Sequence, residues 1–137
     1  MSESGVFSYI VDMSFKVTKK NNYTLIEVQS DKLDTSNASD LKAQLVVVSR
    51  GGEKNIVLDL SQCKYCDSSG LRAILVANRL CEKAIGTCII TGLQPEVESI
   101  IRVSMLHTVL LITNSVESAE ELLKKKKSIK LDVRIEE

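Results

Sequence analysis

The sequence predicts an α/β fold: a mixed, mostly parallel sheet with an N-terminal antiparallel hairpin, about four helices and an extra C-terminal strand. Three observations carry this expectation. Ile56, Val57, Leu58 and Leu60 form a near-continuous apolar run, the pattern of a strand covered on both faces. From Asn55 onward, strand-like and helix-like segments alternate, which implies parallel pairing through helical crossovers. Ahead of them, two strand-like segments are separated only by a short turn, which implies an antiparallel hairpin.

The elements follow in order. Residues 1–6 read as a loose terminus. Phe7, Tyr9, Val11, Met13, Phe15 and Val17 are apolar at every second position, which predicts one half-buried strand. Lys19-Lys20-Asn21-Asn22 is a turn, because asparagine tolerates left-handed backbone angles. Tyr23–Gln29 is the second strand. Asp34, Thr35 and Ser36 are all plausible N-caps for a helix whose Ala38, Leu41, Leu45 and Val48 share one face. Gly51-Gly52 ends that helix.

The stretch Asn55–Leu71 organises the chain. It begins as the buried strand and ends as a helix, since Leu71, Ile74, Leu75 and Leu80 follow at helical intervals. Between them lies Asp67-Ser68-Ser69-Gly70. A strand turning into a helix leaves free backbone N–H groups that favour a side-chain oxygen or an anion. Gly86 closes this helix. Thr87–Thr91 is a buried strand, Pro95 suits a first helical turn, and Val97, Ile100, Ile101 and Ser104 face inward. Val109–Ile112 reads as a short buried strand. Asn114 with Glu117 resembles a capping box for a last helix burying Val116, Ala119, Leu122 and Leu123. Lys124–Lys127 complements the dipole at that helix's C-terminus. Ile129, Leu131, Val133 and Ile135 then alternate with polar residues, predicting a strand that covers a sheet edge or pairs with a second copy.

Composition narrows the function. The 137 residues suit one domain, and Lys+Arg balances Asp+Glu at 18 each, which argues against nucleic acid as the main ligand. No apolar run approaches the ~20 residues of a membrane span. The start MSESGVFSYI lacks the basic and apolar blocks of a signal peptide, so a cytoplasmic location is expected. Cys63-x-x-Cys66 has the spacing of a zinc knuckle or redox pair, yet a second half-site is missing and His107 is the only histidine. Cys63, Cys66, Cys81 and Cys88 are expected as free thiols, Cys88 as a core residue, with neither metal nor cofactor. No base accompanies Ser68, and Gly51-Gly52 lacks the Lys-Ser/Thr of a phosphate loop, so no enzyme is expected.

The segment IVLDLSQCKYCDSSGLRAIL resembles the central signature of the STAS family, the anti-sigma-factor antagonists and the related cytoplasmic domains of sulfate transporters. The likeness runs from about residue 13 to about residue 125, and residues 128–137 are an extension of a single STAS-type domain covering 1–137. It implies that Ser68 is a phosphorylation site. Asp67, Ser69, Gly70, Leu71 and Arg72 would join Ser68 in a partner-binding surface. Asp34, in Leu33-Asp34, matches an acidic residue close to that serine; Asp31 stands where the family usually has glycine. The partners implied are an anti-sigma-factor serine kinase and a serine phosphatase. The alternative is an unphosphorylated STAS subunit docked in a lipid-transport ATPase or other transport complex, for which Arg72, at a position usually small in antagonists, leaves room.

Overall fold

The period-two pattern that begins at Phe7 is carried by two strands, not one. The structure, a computed structural model, describes residues 7–11 and 14–136. Its elements are β1 (Phe7–Val11), β2 (Phe15–Lys19), β3 (Thr24–Val28), β4 (Lys32–Leu33), α1 (Ala38–Arg50), β5 (Ile56–Asp59), β6 (Tyr65–Cys66), α2 (Ser68–Lys83), β7 (Cys88–Thr91), α3 (Pro95–Val103), a 3-10 turn at Leu106–Thr108, β8 (Leu111–Thr113) and α4 (Val116–Glu136). β1 folds back on β2 with Val11 opposite Phe15. The reversal keeps the odd positions in phase, so alternation alone does not reveal the turn.

One sheet runs β1-β2-β3-β5-β7-β8, antiparallel among its first three strands and parallel thereafter. The parallel strands are apolar on both sides because helices cover both sides. Leu25, Val57 and Ile89 lie in register across β3, β5 and β7 and pack with Ala119, Val116, Leu122 and Leu123 of α4. Ile26, Leu58 and Ile90, the next residues along, point the other way into the larger core. There they meet Leu41 and Leu45 of α1, Ile74 and Ala77 of α2, and Val97 and Ile101 of α3.

Several local expectations are corrected. Residues 129–135 are not a strand: α4 continues through them to Glu136. No glycine, proline or asparagine occurs anywhere from Val116 to Glu137 to break the helix. Extending a helix already begun adds a hydrogen bond per residue, whereas a strand here needs a turn and a free edge. The homodimer contact suggested for that strand loses its basis. β8 is one of the sheet's two edges, and Leu111 and Ile112 are exposed rather than buried. Ser104 is the exposed C-cap of α3. The start of α4 is capped by Ser115, whose Oγ accepts from the Ser118 N–H at 3.1 Å, and not by Asn114. Gly52 takes the left-handed angle after α1 (φ 100°), but after α2 that position is held by Ile85 (φ 58°), ahead of Gly86.

Glu53 ties α1's exit to the sheet. Its Oε1 accepts from Lys19 Nζ at 2.6 Å and from Thr24 Oγ1 at 2.7 Å. Its Oε2 accepts from the N–H groups of Lys54 and Asn55. Burial by itself pushes this carboxyl up, but the bonds from Lys19, Thr24 and Asn55 together outweigh it and hold it below its ordinary 4.5. A carboxyl that is more acidic in the folded state stabilises the fold above its unfolded pKa, and that contribution is lost as pH falls through the folded pKa. Glu53→Gln is therefore expected to lower stability in urea unfolding at neutral pH. Its deficit against the wild type should hold down to about pH 5 and shrink below about 4.5. A deficit independent of pH would remove the charge from the explanation.

Candidate functional site

Two strands of two residues each build the site. β4 and β6 pair in parallel, Lys32 beside Tyr65 and Leu33 beside Cys66. They are too short for any period to show in the sequence. Asp31 O accepts from the N–H groups of Lys64 and Tyr65, and Leu33 O accepts from the Asp67 N–H at 3.3 Å. The loop leading to α1 and the loop leading to α2 are thereby clamped side by side. Asp34 and Asp67 are each the next residue beyond the clamp.

Asp67 is the N-cap of α2. Its backbone is extended, its Oδ1 accepts from the Gly70 N–H at 3.0 Å, and its carbonyl accepts from the Leu71 N–H at 2.9 Å. The capping role is thus filled without either serine. Ser68 is the first residue of the helix and is exposed, and its hydroxyl makes no hydrogen bond among the described residues. Ser69 is half-buried and Leu71 is buried. Arg72, one turn beyond Ser68, is exposed on the same side of the helix. Gly70 sits where a Cβ would run into the Leu33 carbonyl and the Cys66 sulfur. It is what lets the helix start lie against β4.

Asp34 does not cap α1. The N-cap position falls to Asn37, four residues into a turn closed by Asp34 O accepting from the N–H groups of Asn37 and Ala38. Asp34 Oδ1 accepts from the Ser36 hydroxyl at 2.6 Å and the Ser36 N–H at 3.0 Å. These bonds, with Lys32 nearby, hold its carboxyl below the usual range, so it is an anion. Asn37, which sequence reasoning missed, pins the loop: its Oδ1 accepts from the Asp34 N–H and its Nδ2 donates to Lys32 O. Its sequence signal was only that asparagine is a strong N-cap residue just before the apolar helical face.

Cys63 and Cys66 lie under this surface rather than in it, and Cys88, beside Ile56, sits at the opposite end of the sheet. All four are buried free thiols. Cys63 Sγ donates to Tyr65 O at 3.1 Å. Burial, with Cys63, Asp67 and Asp34 nearby, pushes the Cys66 thiol up to about 12. Among the described residues, no group of three or more His, Cys, Asp and Glu side chains could hold a metal. Native protein is expected to resist alkylation by iodoacetamide at pH 8 at Cys63 and Cys66, and to react at all four cysteines in urea, as read by intact mass. Rapid native labelling of Cys66, or stoichiometric zinc by elemental analysis, would overturn the packed-thiol assignment. His107 is half-buried in the 3-10 turn beside α3, with its Nδ1 unpartnered among the described residues. No helix among the described residues is long and apolar enough to cross a membrane.

The STAS domain family model matches residues 14–119. BtrV of Bordetella bronchiseptica, a candidate anti-sigma factor antagonist, is 29% identical over 100 residues, spanning 73% of this chain and 86% of its own. An anti-sigma-factor antagonist (STAS) domain protein from Planctomyces limnophilus superposes with a TM-score of 0.74 at 13% identity, covering 80% of this chain and 97% of that one. The phosphorylated form of SpoIIAA, a Bacillus cell fate determinant, superposes with a TM-score of 0.63 at 18% identity, covering 79% and 98%.

Proposed function

The chain belongs to the STAS domain family, and from that premise we propose that it is an anti-sigma-factor antagonist switched by reversible phosphorylation of Ser68. One observation carries the choice of residue. Ser68 is an exposed serine with a free hydroxyl at the rigid start of a helix whose cap is already supplied by Asp67. In the unmodified state, the surface of Ser68, Arg72 and the adjoining turn of Asp34 docks on an anti-sigma factor that is itself a serine kinase. Docking releases the sigma factor. In the switch, Ser68 Oγ attacks the γ-phosphorus of ATP held by the kinase. The bond to ADP breaks, and the serine proton leaves to a base on the kinase. A phosphatase returns the hydroxyl by hydrolysis.

Incubation with the cognate kinase and ATP, followed by intact mass, tests this. One phosphoryl group is expected on the wild type and on Ser69→Ala, and none on Ser68→Ala. Stable kinase binding with no phosphate gained would replace the switch by permanent docking, as in a STAS subunit of a transport complex. Arg72 favours that second reading, because it sets a bulky cation beside the serine.

A further inference from the structure

The far end of the sheet from Ser68 carries a second concentration of unused chemistry. At the N-terminal ends of β3, β5 and β7 lies a cavity of about 600 Å³. Lys20, Lys54, Lys124 and Lys126 all line it, with Tyr23 and Asn55 among its floor residues. They converge from the β2–β3 turn, the loop before β5, and α4. α4 runs on to Glu136, so Lys124 and Lys126 lie mid-helix and its C-terminal dipole accounts for none of the four lysines. None of the four is ion-paired among the described residues.

The two acidic residues of the cavity are already engaged. Glu53 is paired with Lys19 at 2.6 Å and accepts three further hydrogen bonds. Glu120 Oε2 accepts from the Tyr23 hydroxyl at 2.6 Å. The floor is held in place as well: Asn55 Nδ2 donates to Asn22 O, and its Oδ1 accepts from the Thr87 N–H. At the rim, Ile85 is 77% exposed and held in the left-handed region that disfavours a β-branched residue. In a chain of zero formal net charge, four lysines line one preformed cavity against two carboxylates, one of which, Glu53, is already paired with Lys19.

We propose that this cavity binds a small polyanion carrying two or more phosphate groups, supplied either free or as a phospholipid headgroup. Its volume is in the range of small-molecule sites. Lysine suits a phosphate as a compact point charge. The site is independent of Ser68 and would let a second signal reach the domain from its opposite end.

Calorimetric titration of the full chain with pyrophosphate at low salt tests the proposal. Saturable one-to-one binding is expected. Lys54→Ala and Lys124→Ala should each weaken it about fivefold, as expected for removing one partly screened charge. Lys16→Ala, outside the cavity, and Ser68→Ala should leave it unchanged. Co-sedimentation with vesicles containing phosphatidylinositol phosphate, lost in the same two lysine variants, would identify the headgroup as the source. Pyrophosphate binding without co-sedimentation would identify a free ligand. No binding at low salt, or binding indifferent to both lysine variants while circular dichroism shows them folded, would overturn the site.

Discussion

Gly70→Ala is expected to lower the unfolding free energy by about 2 kcal/mol or more. The methyl group has nowhere to go. It would meet the Leu33 carbonyl and lie 2.6 Å from Cys66 Sγ. A flexible side chain could move aside, but Leu33 O is backbone. It is fixed by the Asp67 N–H and by the β4–β6 pairing. Overpacking against such a neighbour costs about 3 kcal/mol. Alanine's better helix propensity returns about 1 kcal/mol. The same substitution should pry the Asp34 turn from the start of α2, so partner binding should fall further than Ser68→Ala makes it fall. Urea unfolding measures the first effect and calorimetry the second. Unchanged stability would mean that Leu33 shifts freely and that the two short strands hold nothing together.

How much of this was legible in the sequence follows from how far each signal extends along the chain. The buried strands β5 and β7 announce themselves through local composition, because both faces are covered and nearly every residue is apolar. α2 was equally plain, since Leu71, Ile74, Leu75 and Leu80 recur at helical intervals, although only Leu71 and Ile74 of these are buried and Leu75 and Leu80 pack half-buried beside them. The clamp was not legible. Leu33 and Cys66 are lone apolar residues among polar ones, and only the fold brings them side by side. The cavity lysines lie far apart in sequence and converge only because the N-terminal ends of parallel strands do. The alternation at 129–135 misled because period two is a statement about faces, while no breaker residue stops the helix already under way from Val116. Ile85 shows the opposite case: Gly86 stands one residue from where a left-handed cap was required, and the tertiary fold gave the angle to its neighbour.

The substitution series at Ser68 has the largest expected effect on binding. Ser68→Ala should abolish phosphorylation and leave affinity for the unmodified-state partner close to that of the wild type. Its hydroxyl bonds nothing among the described residues, so truncation orphans no group, and stability should change by only about 0.5 kcal/mol. Ser68→Asp should bind much more weakly. A carboxylate at the centre of a docked surface must shed its water, and unless a cation receives it the loss is several kcal/mol, on the order of a hundredfold or more in affinity. The local field works against the new charge too. Asp67 lies adjacent, and Asp34 stands beyond the clamp as a second anion. Arg72, one turn along, is the exposed cation on the same helix face that can offset part of this. Phosphoserine, with nearly two charges, should weaken binding at least as far as aspartate. The expected order of affinity is wild type about equal to alanine, then aspartate, then phosphoserine, read by titration calorimetry against the kinase. If alanine and aspartate bind alike, the charge is not what the partner reads, and the free hydroxyl of Ser68 is only an exposed helix start on a constitutive docking surface.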